Sequence, residues 1–297
     1  MSTTSENQVI VKIIGGLGNQ LFQYAAGRGL AERTKGELVL DISGFAHYDL
    51  HSYSLGHFNI VGRIATEAAV SRFAAYKPRV GRRWAIHNFL FADKSKYALE
   101  RYYHVDPSVL SRTPPVYLDG YWQSEQYFSD YAELIRADLH PVTPLPARDT
   151  ALIDAMSREH SVSVHVRRGD FVSHSQISAF HGTCTPQYYT EAVARLSEKV
   201  GVPLTLYIFS DDPAWVRENL QFPHQTVYVD HNDASKNYID MILMSTCKYH
   251  IIANSSFSWW GAWLDARPDK VVIAPRTWVR DPRVNTKDLL PPSWIRI

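Results

Sequence analysis

The segment SVSVHVRRGDF, residues 161–171, combines an apolar run with a dense group of charged side chains. Its alternating apolar positions predict a strand that ends at the basic pair Arg167 and Arg168. Because side chains alternate between the two faces of a strand, His165 and Arg167 share one face, and Arg168 and Asp170 share the other. We therefore expect Asp170 to brace Arg168 while the Arg167 guanidinium binds an anion such as a phosphate. An ion-paired strand end without a ligand is the alternative.

A second candidate anion site lies in NSSFSWWGAW, which follows the apolar run YHIIA. Ser255 and Ser256 are typical residues for the start of a helix, where free backbone amides and the two hydroxyls could hold a phosphate. Because another predicted strand ends at an arginine, the two segments together predict a diphosphate site. Three tryptophans follow and are expected to pack the helix onto its sheet: Trp259, Trp260 and Trp263.

The glycine-rich turn GGLGNQ, residues 15–20, also lies between a predicted strand and a predicted helix. Gly16 and Gly18 match the first two glycines of the dinucleotide-binding pattern G-x-G-x-x-G, but Leu21 occupies the third position. Asp41 follows at the distance expected of a ribose-binding acid. An NAD-dependent oxidoreductase is therefore one interpretation, which Leu21 weakens. A tight turn whose helix N-terminus favours an anion is the other.

These segments are placed by a repeated strand–helix pattern, which predicts parallel sheets in both halves of the chain. The proline-rich stretch HPVTPLPARD, residues 140–149, is the predicted linker, and it divides the chain into domains 1–147 and 148–297. Each polar segment directly follows a predicted strand. Since ligands of such sheets bind beyond the carboxyl ends of the strands, we expect these segments to line one cleft.

Composition narrows the function classes. The net charge of +1 gives no support for binding nucleic acid, and the sequence has no D-x-D, H-E-x-x-H or C-x-x-C pattern, so no metal site is predicted. Two cysteines, a polar start (MSTTSENQ) and the lack of a long apolar run predict a cytoplasmic protein without a transmembrane segment.

Four motifs in this order, GGLGNQLFQYAAG, HVRRGD, SDDPAWV and NSSFSWWGAWL, resemble the bacterial α-1,2-fucosyltransferases of glycosyltransferase family 11. LDISGF and GYWQSEQYF extend the resemblance, which runs from Val9 to about Trp294. It implies an α/β fold of the GT-B type, with two Rossmann-like domains facing across a cleft. It also implies inverting, metal-independent transfer of L-fucose from GDP-β-L-fucose to the 2-hydroxyl of a terminal galactose.

Two further alternatives stay open. Fucosyltransferases of other linkages, such as α-1,6, share the H-x-R-R-x-D core of the second motif. A protein that binds a nucleotide sugar without turnover would carry the same donor-binding residues.

The resemblance also implies roles for individual residues. Arg167 matches an arginine that contacts the β-phosphate, and His165 and Asp240 match residues that contact guanosine. Asn19 matches an asparagine near the leaving group. The remaining expected donor-binding residues are Gly16, Gly18, Arg168, Asp211, Asn254, Ser255, Ser256 and Phe257.

Inverting transfer is helped by a carboxylate near the attacking hydroxyl. Asp41 is the first candidate for this base because it ends a predicted strand of the N-terminal domain. Glu125 is the second, and a reaction without a single protein base is the third.

The predicted partners are GDP-fucose and a galactoside acceptor glycan, which in bacteria is often lipid-linked. A basic, aromatic patch at residues 72–91 suggests peripheral contact with the inner membrane, and a solvated basic surface is the alternative. Its members are Arg72, Lys77, Arg79, Arg82, Arg83, Trp84, Phe89 and Phe91.

Overall fold

The computed structural model describes residues 6–77, 93–169 and 182–297. The predicted brace Asp170 and the members of the basic patch from Arg79 onward lie outside these ranges. No helix in the described part of the chain is long and apolar enough to cross a membrane.

The chain forms two compact units. The first unit comprises Met1–Val142 and Asn285–Leu289, and the second comprises Thr143–Val284 and Leu290–Ile297. The first change of unit therefore falls within the predicted proline-rich linker, just before the expected boundary at 147/148. The return of residues 285–289 to the first unit was not predicted from the sequence.

The first unit is built on a parallel sheet with the strand order β3-β2-β1-β5-β4. Its central strand, β1, is a continuous apolar run that is buried on both faces, as is typical of parallel sheets. The long helix α1 packs on β1 so closely that a Cβ added at Gly27 would lie 2.9 Å from Val11 Cγ1. The strands are β1 Gln8–Lys12, β2 Glu37–Asp41, β3 Arg63–Ile64, β4 Tyr97–Leu99 and β5 Val116–Asp119. The helices are α1 Leu17–Thr34, α2 Glu67–Ser71, α3 Pro107–Leu110 and α4 Ala132–Asp138.

The second unit has its own parallel sheet, with the strand order β11-β10-β9-β6-β7-β8. Its strands are β6 Ser161–Val166, β7 Thr205–Ser210, β8 Gln225–Val229, β9 Tyr249–Ile251, β10 Val271–Ala274 and β11 Ile295–Arg296. Its helices are α5 Ala147–Arg158, α6 Pro186–Val200, α7 Pro213–Asn219, α8 Asn237–Thr246 and α9 Ser256–Leu264.

Both sheets reverse their strand order next to the first strand of the unit. In the second unit the chain runs outward from β6 to β7 and β8, then returns to β9 on the opposite side of β6. In the first unit β2 and β3 lie on one side of β1, and β5 and β4 lie on the other. Such switch points leave a crevice at the carboxyl ends of the two strands, where ligands of open α/β sheets bind.

The two faces of β6 have different partners. Val162, Val164 and Val166 pack in an apolar cluster with α6 residues such as Tyr189. On the other face, His165 faces α9, since its ring lies 5.5 Å from the ring of Phe257. Strand alternation thus assigns opposite faces to neighbouring residues at the carboxyl end of β6.

A buried polar chain crosses the second unit beneath that end. The Ser163 hydroxyl lies 2.9 Å from His250 Nδ1, and His250 Nε2 lies 3.0 Å from Asp265 Oδ2. Asp265 Oδ1 accepts hydrogen bonds from the backbone N–H and the Nε of Arg267, at 2.9 and 2.7 Å. Ser163, His250 and Asp265 are all buried, so this Ser–His–Asp series ties β6, β9 and the segment after α9 together and is closed to a substrate.

The tryptophans of α9 belong to the core, as predicted. Trp259 and Trp260 are fully buried, and Trp263 is nearly so. The Trp259 ring stacks against Trp263 and lies 5.4 Å from Trp294, near the C-terminus. Helix α9 is therefore held rigidly, with its N-terminus at the carboxyl end of β9.

Candidate active site

Asp211, the first residue after β7, organises the end of β6. Its Oδ2 accepts hydrogen bonds from Arg167 Nη1 at 2.9 Å and from the backbone N–H of Gly169 at 3.0 Å. Its Oδ1 accepts a hydrogen bond from the backbone N–H of Arg168 at 2.8 Å. A Cβ at Gly169 would lie 2.7 Å from Asp211 Oδ2, so a larger residue there would displace the Asp211 carboxylate. Asp211 is thereby placed to orient Arg167, a role that the sequence did not predict.

Arg168 is held on the opposite face. Its Nε lies 3.2 Å from Asp212 Oδ2, and its guanidinium stacks on Trp215 at 3.8 Å from the ring centre. The brace predicted from Asp170 is therefore supplied by Asp212 and Trp215 among the described residues. These contacts make Arg168 a support of the strand end and direct it away from the face that carries His165.

His165 and the N-terminus of α9 form the other side of this switch point. His165 is 4% exposed, and its Nδ1 has no hydrogen-bond partner within the described residues. Burial lowers its pKa to about 4, the Asp211 carboxylate acts in the opposite direction, and the Arg167 cation lowers it further. The imidazole is therefore neutral near pH 7, with a buried ring nitrogen available to a ligand.

Helix α9 begins without a side-chain cap. Ser255 occupies the N-cap position, as predicted, but its hydroxyl makes no capping hydrogen bond, and the first turn contains no acidic residue. Ser256 and Phe257 form the start of the helix. Uncapped first-turn amides next to His165 are suited to an anion.

The side chain of Asn254, just before the start of α9, is engaged by other segments of the second unit. Its Nδ2 donates hydrogen bonds to the carbonyls of Gly182, at 3.1 Å, and Trp278, at 3.2 Å. Its Oδ1 lies 3.6 Å from Cys184 Sγ. Asn254 therefore joins three segments around the start of α9, and its side chain is buried.

Asp240 lies in the first turn of α8, on a helix that packs against α9. Burial raises the pKa of this carboxyl to about 6, although the hydrogen bond from Asn232 lowers it. Asn232, His231 and Asp149 surround Asp240 in a hydrogen-bonded cluster. His231 and Asn232 lie in DHND, residues 230–233, one of the polar segments that follow a predicted strand. Asp149 was missed in the sequence, because three strands separate it from Asp240 along the chain.

The glycine-rich turn lies at the switch point of the first unit. Gly15, with φ of +88°, is the position whose backbone needs glycine, and it was not singled out in the sequence. Gly16 is the N-cap of α1, and a Cβ there would lie 3.4 Å from His51 Nε2. Gly18 is the second residue of α1. Asn19 Oδ1 accepts a hydrogen bond from Gln123 Nε2 at 2.8 Å, which links α1 to the segment after β5.

The two candidate bases also lie in the first unit. Asp41 ends β2, but it is 3% exposed and both of its oxygens are engaged. Oδ1 accepts from the backbone N–H of Ser43 at 2.9 Å, and Oδ2 accepts from the Tyr117 hydroxyl. This placement favours a structural role for Asp41. Glu125 is half-buried and begins the short 3₁₀ helix Glu125–Tyr127.

A third carboxylate of the first unit, Glu100, was missed in the sequence. Burial raises its pKa, and its oxygens accept from the backbone N–H groups of Tyr121 and Trp122, at 2.6 and 2.8 Å. A Cβ at Gly120 would lie 2.3 Å from Glu100 Cβ, so Gly120 is required for this approach. Glu100 therefore fixes the segment that follows β5 and leads to Gln123.

Metal-ligating groups do not cluster in the part of the chain that the structure describes: no three His, Cys, Asp or Glu side chains there could share an ion. Of the basic patch, only Arg72 and Lys77 are described. Arg72 Nη2 donates to Gln8 Oε1 at 2.7 Å, and Lys77 Nζ lies 3.5 Å from Asp119 Oδ2. Membrane contact stays a prediction.

Two Rossmann-like parallel sheets, each with polar segments at its switch point, define an α/β fold of the GT-B class. The family model described as "Glycosyl transferase family 11" matches residues 3–297. The chain belongs to glycosyltransferase family 11, as its motifs predicted, and the oxidoreductase interpretation is set aside.

Two Escherichia coli proteins are similar to the chain over nearly their whole length. An α-1,2-colitosyltransferase is 35% identical over 295 residues, which cover 97% of this chain and 98% of that protein. The O-antigen biosynthesis glycosyltransferase WbnK is 32% identical over 304 residues, which cover 95% and 98%. A mutant of Arabidopsis thaliana FUT1, solved in complex with GDP, has a similar fold. Its TM-score is 0.53 at 12% identity, covering 90% of this chain and 70% of that one.

Proposed function

We propose that this enzyme transfers L-fucose from GDP-β-L-fucose to the 2-hydroxyl of a terminal galactose, with inversion at the anomeric carbon and without a metal. One observation carries the donor assignment: the neutral His165 and the uncapped start of α9 meet at the carboxyl ends of β6 and β9, and Arg167 directly follows β6. A cation and free backbone amides at a switch point are suited to a nucleotide diphosphate.

In the proposed reaction the acceptor hydroxyl attacks C1 of the fucose as the bond from C1 to the β-phosphate oxygen breaks. Negative charge then grows on the departing GDP, and the hydroxyl proton is lost to a base. The Arg167 guanidinium and the first-turn amides of α9 offset the charge on the phosphate, and Asp211 holds Arg167 in position before the reaction begins. Such preorganised donors stabilise the transition state more than the ground state.

A GDP-linked colitose is the second candidate donor, because the E. coli α-1,2-colitosyltransferase is 35% identical over almost the whole chain. Colitose differs from L-fucose by the absence of the hydroxyl at C3. A site built to hydrogen-bond that hydroxyl would discriminate strongly against the sugar that lacks it.

The proposal is tested by incubating the enzyme with GDP-fucose or GDP-colitose and a panel of free and lipid-linked β-galactosides, followed by linkage analysis. An α-1,2-fucosylated product supports the proposal. An α-1,6 product, transfer from GDP-colitose alone, or GDP binding without turnover each contradicts it in a distinguishable way.

Replacing the candidate bases should separate their roles. Since both oxygens of Asp41 are occupied inside the first unit, we expect Asp41→Asn to lower stability but to leave the acidic limb of the pH–rate profile unchanged. Glu125→Gln should remove that limb if Glu125 accepts the proton. If Asp41→Asn loses the acidic limb of the pH–rate profile, Asp41 is the base after all. If the profiles of both variants are unchanged, neither Asp41 nor Glu125 is the base.

Donor binding should depend on pH through Asp240. Guanine presents N–H donors, so it requires the ionised carboxylate, and GDP should bind more tightly as the pH rises through about 6. The free enzyme changes in the opposite sense, because a carboxyl whose pKa is raised from 3.8 opposes folding once it ionises. His231 and Asp149 are the titratable groups next to Asp240 in the cluster. Calorimetric titrations at a series of pH values should show the rise, and Asp240→Asn should abolish it.

A further inference from the structure

Four polar side chains from three elements meet beyond the carboxyl end of β8. Asp149 comes from the first turn of α5, His231 and Asn232 follow β8, and Asp240 lies in the first turn of α8. We call these four residues the base cluster. They are joined by hydrogen bonds in series, and Asp149, the innermost member, is 1% exposed.

Asp149 holds two members of the base cluster through one oxygen. Its Oδ1 lies 2.8 Å from His231 Nε2 and 3.3 Å from Asn232 Nδ2. The same Asn232 amide nitrogen donates to Asp240 Oδ1 at 2.8 Å. Both hydrogens of the amide are therefore used, and Asn232 stands as a rigid link between the two carboxylates.

These contacts fix the hydrogen-bonding character of the cluster. Since His231 Nε2 is engaged by Asp149 Oδ1, the other ring nitrogen, Nδ1, is left for another partner. That Nδ1 is buried and has no partner within the described ranges. Asp240 Oδ2, which Asn232 does not use, is a second acceptor. The unused oxygen of Asp240 thus makes the base cluster able to accept hydrogen bonds from a ligand.

Guanine complements such a cluster. It carries an N1–H and an exocyclic amino group at C2 side by side, whereas adenine has an acceptor at N1 and hypoxanthine lacks the C2 amino group. The location also fits, because α8 packs against α9 and β8 lies two strand spacings, about 10 Å, from β6. That separation is comparable to the reach of a nucleoside diphosphate from its phosphates to its base.

Resting on the proposed function, we propose that Asp149 is a positioning residue for the nucleotide base. It does not touch the base itself. By fixing Asn232 and the ring of His231, it holds the carboxylate of Asp240 in the orientation that accepts from guanine and thereby sets the preference for guanine over hypoxanthine.

The test is calorimetric binding of GDP and IDP to the full chain, in which IDP differs only by the missing C2 amino group. A hydrogen bond to an ionised carboxylate predicts that the wild-type enzyme binds GDP roughly tenfold to a hundredfold more tightly than IDP. Asp149→Ala should reduce this ratio to about threefold or less, and Asp149→Asn, which keeps an accepting oxygen, should restore most of it. Asp154→Ala, at an exposed position on the same helix, is the matched control.

The outcomes distinguish this inference from the proposed function. A wild-type enzyme that binds neither GDP nor IDP contradicts the proposed function, whereas an unchanged GDP/IDP ratio in folded Asp149→Ala overturns only the inference. If Asp149 has a merely structural role, its replacement would weaken the binding of GDP and of IDP equally and leave the ratio of their affinities unchanged. If Asp149→Ala does not fold, Asn232→Ala removes the same link at a less buried position and must lower the ratio, or the inference fails.

Discussion

Arg167→Ala is expected to lower kcat by a factor of about 10²–10³ or more while the protein stays folded. Arg167 directly follows β6, and its guanidinium is partly accessible and paired with Asp211. Its removal takes away a charge-assisted donor at the point where negative charge grows on the leaving phosphate. Steady-state kinetics with GDP-fucose and the acceptor identified by the panel provide the measurement.

Arg168→Ala is the matched control, because it removes the neighbouring arginine of the same strand end. Arg168 is bound to Asp212 and stacked on Trp215, so its loss should reduce thermal stability and change kcat far less than Arg167→Ala. Arg167→Lys should recover only part of the activity, since a lysine cannot reproduce the planar fork of the guanidinium. Near-normal turnover in Arg167→Ala, or a larger loss in Arg168→Ala, would refute the assignment.

Asp265→Ala is expected to destabilise the fold by about 3–5 kcal/mol and to lower Tm by roughly 10 °C. The substitution leaves buried His250 and the Arg267 guanidinium without their shared carboxylate. Hydrogen bonds from His250 and Arg267 outweigh burial and lower the pKa of Asp265 to about 2. Differential scanning calorimetry measures the change.

The acid dependence gives this prediction a second readout. Because the native pKa of Asp265 lies below its ordinary 3.8, its contribution is complete above that value and is lost as the pH falls toward about 2. Asp265→Ala should remove that part of the acid sensitivity. Asp281→Ala is the control, since Asp281 pairs with a highly exposed arginine and should leave Tm nearly unchanged. An Asp265→Ala protein with wild-type Tm would show that the buried chain contributes little.

The alternation of β6 was predictable because it depends only on the geometry of one strand. It correctly separated His165 from Val164 and Val166. The strand ends at Val166, before the predicted end at Arg168, and the contacts of Arg168 with Asp212 and Trp215 fix its direction. The same logic applies to Asp211 and Asp212, which are adjacent in the chain and serve Arg167 and Arg168 on opposite faces.

Partners supplied by other strands could not be predicted. Asp41 was correctly placed at a strand end, yet its carboxylate is occupied by Tyr117 from β5, which is separated from β2 by β1. The strand order decides that contact, and a local pattern does not contain the strand order. Asp149 was missed for the same reason, because its partners come 82 and 83 residues later in the chain.

Residues 285–297 contribute to both compact units. Asp288 belongs to the first unit, where its backbone carbonyl accepts from the Ser124 hydroxyl and its carboxylate accepts from the backbone N–H of Val105. Trp294 and β11 belong to the second unit and complete its core and its sheet. Neither unit is therefore encoded by one uninterrupted stretch, and a gene fragment that stops at the proline-rich linker would yield an incomplete first half. Deleting residues 285–297 should therefore destabilise both units. We expect the two units to be inherited together, and to be exchanged between proteins only together.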